Sequence, residues 1–290
     1  MKGVDAMRTW QIGNVRITRL QEQEPVWNGT MILPDATPEN VKQEGEWLSA
    51  FTDDAGRFRL SIHSLLVESE GRRIVVDTCV GNDKNRPGFK DWSNLHLPFL
   101  QEFEKAGFAR ESIDTVICTH LHLDHVGWNT TLENGRWVPT FPKARYVMGQ
   151  REWDYWSKYD DVADFKLSID DSVRPVIDAR LAELVDPNLR ITGEVWLEPT
   201  PGHTPGHISV RISSRGEDAV ITGDMMHHPI QVAHPDWVVG FDADPKLAVD
   251  TRRQFVQKYC DQPVQVLGTH FAGPTSGHIV RRNGSFRFEA

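Results

Sequence analysis

The chain has 290 residues, of which 39% are hydrophobic and 25% charged, with a formal net charge of −9. That is enough chain to bury a sizeable core, in the proportions of a globular protein, and an acidic chain without a basic run makes no natural partner for a phosphate backbone. Cys79, Cys118 and Cys260 are too few for a disulfide framework; the N-terminal stretch has no apolar leader core and nothing is long enough to span a bilayer, so a cytoplasmic protein with neither nucleic-acid nor membrane partner is expected.

Residues 15–20 alternate apolar and polar and predict a half-buried strand. Residues 63–69 and 72–78, with Glu70-Gly71 between them, predict a hairpin. Between these, residues 21–60 carry Pro, Gly and Asn together with Trp27, Trp47 and Phe51, and read as a long irregular segment serving as a flap or a homodimer contact. Asp77 ends its strand either as a cap or as an acceptor for a metal-bound histidine. Residues 98–108 predict a helix, 113–118 a strand and 145–148 another. Residues 150–159 and 172–184 predict helices, so that about 150–190 reads as a helical insertion in a single domain spanning 1–290. Its aromatics Trp153, Tyr155 and Trp156 read first as a packing face and second as a pocket wall. Strands return at 194–200, 207–212 and 218–222; residues 245–260 predict a helix, and 264–267 the last clear core strand.

The chemistry concentrates in Thr119-His120-Leu121-His122-Leu123-Asp124-His125, directly after the strand at 113–118. His120 and His122 are two apart, so in an extended segment both point the same way, and Asp124 and His125 follow as the chain turns. Imidazole and carboxylate donors suit zinc and its neighbours, and unclustered cysteines argue against a thiolate site. Three later strands also end in donors beside a glycine: His203 after Pro201-Gly202, Asp224 after Gly223, and His270 after Gly268-Thr269. Five histidines and two aspartates exceed what one tetrahedral ion takes.

The order and strand-end setting of these seven residues, over roughly residues 60–270, resembles the metallo-β-lactamase-fold hydrolases with their His-x-His-x-Asp-His loop. The resemblance implies an α/β protein, a four-layer α/β/β/α sandwich with the site at one edge of its two sheets. It implies two divalent metal ions, Zn2+ by default with Mn2+, Fe2+ or Co2+ also suited. His120, His122 and His203 would hold the first ion and Asp124, His125 and His270 the second, with Asp224 bridging. Two such ions can share a hydroxide near neutral pH for attack on a carbonyl or phosphorus centre, and Asp124, with Asp224, would be catalytic. Thr119, Asp77 and His207 are expected just outside the ligands, and Trp128 and Trp237 as pocket residues with packing as their alternative. His227, His228 and His234 trail Asp224 and read first as ordinary loop residues and second as pocket lining, and His63, His96 and His278 as structural.

Within the superfamily, an Asp at the bridging position and the absent leader lower a true β-lactamase. The chain ends too soon after His270 for the glutathione-binding region of the thioesterases, and its charge disfavours the nucleases. The pattern looks most like quorum-quenching lactonases and methyl-parathion-type hydrolases. The expected activity is hydrolysis of a small-molecule lactone or carboxylic ester. A phosphotriester comes next, then a thioester or β-lactam, and last a non-catalytic metal-binding relative.

Overall fold

Several strands of this chain are apolar on both alternating sets of side chains, and such strands need a covering layer on each face. A computed structural model describes residues 7–290 and shows how both layers are provided; the first six residues of the stretch read for a leader lie outside the described residues. The first strands are β1 (Met7–Ile12), β2 (Val15–Gln23), β3 (Val26–Trp27), β4 (Phe58–Arg59), β5 (Ile62–Ser69) and β6 (Arg72–Val76). They are followed by β7 (Thr115–Ile117), β8 (Thr130–Glu133), β9 (Arg136–Pro139), β10 (Arg145–Gly149) and β11 (Ala182–Val185). The second half supplies β12 (Val195–Pro199), β13 (Ile208–Ser214), β14 (Glu217–Ile221), β15 (Val264–Leu267), β16 (Ser276–Arg282) and β17 (Ser285–Glu289). The helices are α1 (Pro38–Gln43), α2 (Phe99–Lys105), α3 (Gln150–Trp156), α4 (Ala163–Ser168), α5 (Arg174–Asp178), α6 (Ile230–Ala233) and α7 (Pro245–Tyr259).

Seven strands form one sheet in the order β1-β2-β5-β6-β7-β10-β11, and β12 to β17 form a second in chain order. The two-residue period then sorts the core. Leu65, Val67, Ile74, Val76, Ile117 and Val147 of the first sheet meet Val195, Leu197, Val210, Ile212 and Ile221 of the second. The intervening Leu66, Val75, Val116, Tyr146 and Met148 face outward onto Phe99 and Phe103 of α2, Trp156 of α3 and Val176 of α5. On the far side, Val220, Val266 and Ile279 pack against Phe255, Val256 and Tyr259 of α7. The layers are therefore helix, sheet, sheet, helix. Helix α7 starts where Pro245 fixes the first turn and Asp244 accepts a hydrogen bond from Leu247 N at 3.0 Å. Among the described residues no helix is long and apolar enough to cross a membrane.

Three expectations need correction. The helix over 172–184 is shorter: a π-helical turn (Ile169–Val173) leads into α5, Arg180 takes a positive φ of 60°, and residues 182–185 become β11, paired parallel to β10. Strand β11 is half buried, so its short sequence carries no clear alternation. Residues 264–267 are not the last strand of that sheet, since β16 and β17 follow. Their many arginines hide the inward pair Ile279 and Phe288. Segment 21–60 is not merely irregular: Leu33, Val41, Leu48, Phe51 and Phe58 are buried with Phe271 and Phe288 in the second helical layer's core.

Candidate metal centre

Strands β6 and β7 pair in parallel, as do β14 and β15, while β12 and β14 are each antiparallel to β13 and so share one direction. The carboxyl ends of these five strands lie at one edge of the sandwich, the usual place for an α/β site. Asp77 follows β6, the His120–His125 loop follows β7, His203 follows β12, Asp224 follows β14, and His270 follows β15. The two sheets are stitched together there by Ile208 N donating to Thr119 O at 3.0 Å.

The structure brings all seven predicted donors together in two groups. His120, His122, His203 and Asp224 offer atoms within 4.8 Å of one another, as do Asp124, His125 and His270. Asp224 Oδ2 is 3.1 Å from both His125 Nε2 and His270 Nε2, and 3.7 and 3.8 Å from His120 Nε2 and His203 Nε2. Six of the seven are buried, and Asp124 is partly open to the cavity.

Oxygen acceptors behind the rings fix their orientation. His125 Nδ1 lies 2.9 Å from Asp77 Oδ2, His203 Nδ1 2.9 Å from Asp242 Oδ1, and His270 Nδ1 3.1 Å from Ser61 O. Each ring thus carries its proton on Nδ1 and turns Nε2 into the site, the arrangement that suits metal ligation. Across the centre, His203 Nε2 faces His122 Nδ1 at 3.0 Å and His270 Nε2 faces His125 Nε2 at 3.2 Å. Buried His120 Nε2 and Asp224 Oδ1 have no hydrogen-bond partner among the described residues. Converging nitrogens and orphaned, buried ligand atoms fit divalent cations.

Electrostatics agree. Burial lowers the histidine pKa values, and beside neighbouring imidazoles it keeps His120, His122 and His203 well below the ordinary value. At His125 and His270 the carboxylates of Asp224 and Asp124 outweigh burial and raise it. Burial works against the Asp224 carboxylate, yet His125, His270 and His227 hold its pKa well below the usual range. The first three imidazoles are thus kept neutral, with lone pairs to offer, and the Asp224 and Asp124 carboxylates favour positive charge beside them.

Of the three residues expected just outside the donors, Asp77 does more than cap a strand. Besides holding His125, it accepts from Thr119 N and Thr119 Oγ1, each at 2.8 Å, from a backbone at φ 56°. Thr119 Oγ1 is 3.1 Å from His120 Nδ1. His207 Nε2 accepts from Asp224 N at 2.8 Å, with its Nδ1 2.9 Å from Thr200 Oγ1. Burial pulls the His207 pKa down to about 3, so the ring stays neutral and able to accept. Gly223, at φ 57°, permits this approach: a Cβ there would stand 2.6 Å from His207 Nε2.

Residues 57–259 match the metallo-β-lactamase superfamily. The chain belongs to that superfamily. An N-acyl homoserine lactonase from a Bacillus species is 24% identical over 222 residues, 72% of this chain and 81% of its own. A probable metallo-hydrolase of Methanocaldococcus jannaschii is 26% identical over 184 residues, 62% of this chain and 64% of its own. Among solved structures, AidC, a dizinc quorum-quenching lactonase in complex with a product, aligns with a TM-score of 0.79 at 21% identity over 98% of this chain and 96% of its own. The hydrolase AbOPH aligns at 0.80 and 24% identity over 99% and 98%.

Above the metallo-β-lactamase centre opens a cavity of about 650 Å³. His227 lines it, its Nε2 3.2 Å from Asp224 Oδ2 and neither ring nitrogen hydrogen-bonded among the described residues. The two tryptophans proposed for the pocket stand elsewhere. Trp128 is buried, stacked on Phe99 at 5.4 Å, and donates from Nε1 to Glu22 Oε1 at 2.7 Å. Trp237 stacks on His234 at 4.2 Å and packs against the α7 core. Sequence proximity to a ligand brought them forward, but their ring planes are taken up by those neighbours. The apolar walls come instead from Trp27, Leu60, Trp92, Phe165 and Phe241, on four separate segments. Of these only Trp27 stands out in the sequence, in the stretch read as a flap or dimer contact; the other four carry no signal, and neither does Asp242, which lies 39 residues after the His203 it holds.

Proposed function

We propose that this hydrolase holds two divalent ions, zinc by default, and opens a lactone or cleaves a carboxylic ester. The supporting observation is Asp224 Oδ2, a single carboxylate oxygen within 3.1 to 3.8 Å of imidazole nitrogens from both donor groups. In this reading His120, His122 and His203 hold one ion, Asp124, His125 and His270 the other, and Asp224 serves both. When bound, the ions supply a nucleophile from water at neutral pH and polarise the scissile carbonyl.

The remaining work belongs to the chain. Asp124 borders the cavity, so its carboxylate can take a proton from the attacking water and return it to the leaving oxygen. His227, with its ring nitrogens unpartnered, donates a hydrogen bond to the oxygen that gains charge. His207 holds the Asp224 main chain still, and Asp77 and Asp242 hold two imidazoles, so little reorganisation is left for the moment of reaction. The apolar walls exclude water and receive an acyl group. The likeness to an N-acyl homoserine lactonase favours a lactone bearing such a group.

A side-by-side assay at fixed metal loading tests this. Some lactone or carboxylic ester should exceed penicillins in kcat/KM by at least about a hundredfold, equal to about 2.7 kcal/mol of transition-state preference. Comparable rates on β-lactams would overturn the reading. A second reading, an aryl phosphotriester, is favoured by aromatic walls such as Trp27 and Trp92, whose rings lie 5.3 Å apart. Activity confined to phosphotriesters would select it.

A further inference from the structure

Glu152, in α3, is 0% exposed and takes no part in the chemistry above. Its carboxylate accepts from Leu121 N at 3.2 Å, Gly206 N at 2.7 Å and Trp156 Nε1 at 2.8 Å. Leu121 stands between His120 and His122 in the chain, and Gly206 closes the turn that carries His203. Trp156 meets the His122 ring edge to face, with centroids 4.9 Å apart. All three contacts therefore lead to the His120, His122 and His203 group, and none of them reaches Asp124, His125 or His270. The approach is close as well: a Cβ on Gly206 would stand 2.7 Å from Glu152 N, so the His203 turn and the first turn of α3 pack main chain to main chain.

We infer that Glu152 is a positioning residue for one of the two metal sites, fixing the spacing between the His120–His122 loop and the His203 turn and so setting the affinity of that site alone. The inference rests on the two-ion reading of the seven donors. Those two loops follow strands of different sheets, β7 and β12, and ligands must be held to within about 0.5 Å to keep a coordination geometry. Helix α3 carries no ligand itself, so its hold on the site passes through this carboxylate and the Trp156 ring that the carboxylate restrains. Both oxygens are used: Oε1 takes Gly206 N, and Oε2 takes Leu121 N and the indole.

The test is metal uptake by the full chain, stripped of metal and titrated with Zn2+ against a chromophoric chelator. Glu152→Gln turns one acceptor into an amide N–H aimed at a donor. One of two equivalents should weaken by about 10–100-fold while the other stays within about twofold. Trp156→Phe, which keeps a ring on His122 but loses the indole N–H, is the milder second variant and should weaken the same equivalent by a smaller factor. Cobalt absorption should then show one altered and one unaltered site. A merely structural glutamate would lower the melting temperature of the metal-free protein and weaken both equivalents alike, or neither, and either result overturns the proposal. A wild-type chain that saturates at one equivalent overturns the two-ion reading, and the proposal with it, so the two failures are told apart by the wild-type control.

Discussion

His125 and His270 present their Nε2 atoms to one another at 3.2 Å, although 145 residues separate them and they follow strands of opposite sheets. Their Nδ1 atoms are tied to Asp77 and to Ser61 O, so neither ring can turn away without breaking a buried hydrogen bond. Two nitrogens fixed in this way form a jaw for a cation.

The expected stoichiometry follows: purified protein reloaded after chelation should take up two transition-metal ions per chain. Binding to the folded state alone should raise its melting temperature, by mass action. Elemental analysis that saturates at one equivalent would contradict this.

Asp224 touches both donor groups, whereas His207 reaches Asp224 through the main-chain N and stands beside the His120 ring with centroids 5.2 Å apart. Asp224→Ala should weaken both ions and reduce turnover by orders of magnitude. His207→Ala should cost about 10–100-fold, as partners behind a ligand do. The reverse ranking in parallel metal titrations and initial-rate assays would displace Asp224 from the bridging role.

Trp92 and Phe165 both line the cavity; Phe165 stacks on His122 with centroids 4.8 Å apart, whereas Trp92 packs on Trp27 and Phe89. Trp92→Ala should raise KM for long-chain acyl substrates by about tenfold or more and leave short acetyl esters nearly unchanged, since the lost contact is apolar burial worth about 1–3 kcal/mol. Equal losses on both substrates would mean that the residue shapes the centre and not the acyl site.

Lys84 supplies a pH dependence away from the centre. It is fully buried, 3.6 Å from Asp171 Oδ1, with Arg86 2.7 Å from the other oxygen and Asp83 beside it in the chain. Burial pulls its pKa down to about 7 against the opposing pull of Asp171. Below that pH the folded and unfolded chains both carry the proton. From about 7 to the unfolded value near 10.4, only the unfolded chain keeps it, so stability rises with pH across that window. Lys84→Met removes this dependence. Urea unfolding at pH 7 and pH 9.5 should therefore show wild type gaining on the variant. An unchanged difference would mean that the buried ammonium stays charged.

The seven donors were legible because each follows a strand and sits at or within three residues of a glycine or in one dense loop, and a strand's direction and end can be read from local alternation. For the same reason the hairpin of β5 and β6, the strand before the ligand loop and helix α7 were readable: their periodicities are local and their ends carry Gly or Pro. Strand β11 reads as helix in the sequence because three half-buried residues and the buried Val185 show no two-residue period, and what makes them a strand is their pairing with β10. Distances in space decided the rest. Asp242 behind His203, Ser61 behind His270 and Glu152 between two ligand loops are joined to their partners across 39, 209 and up to 54 residues. The cavity is likewise tertiary: Trp128 stands three residues from His125 yet spends its ring on Phe99, while Trp92 and Phe241 reach the pocket from distant loops. Ligand identity is written locally because a metal needs particular side-chain atoms at strand ends. Pocket shape is not, because any apolar side chain that packing leaves facing the opening can serve as its wall.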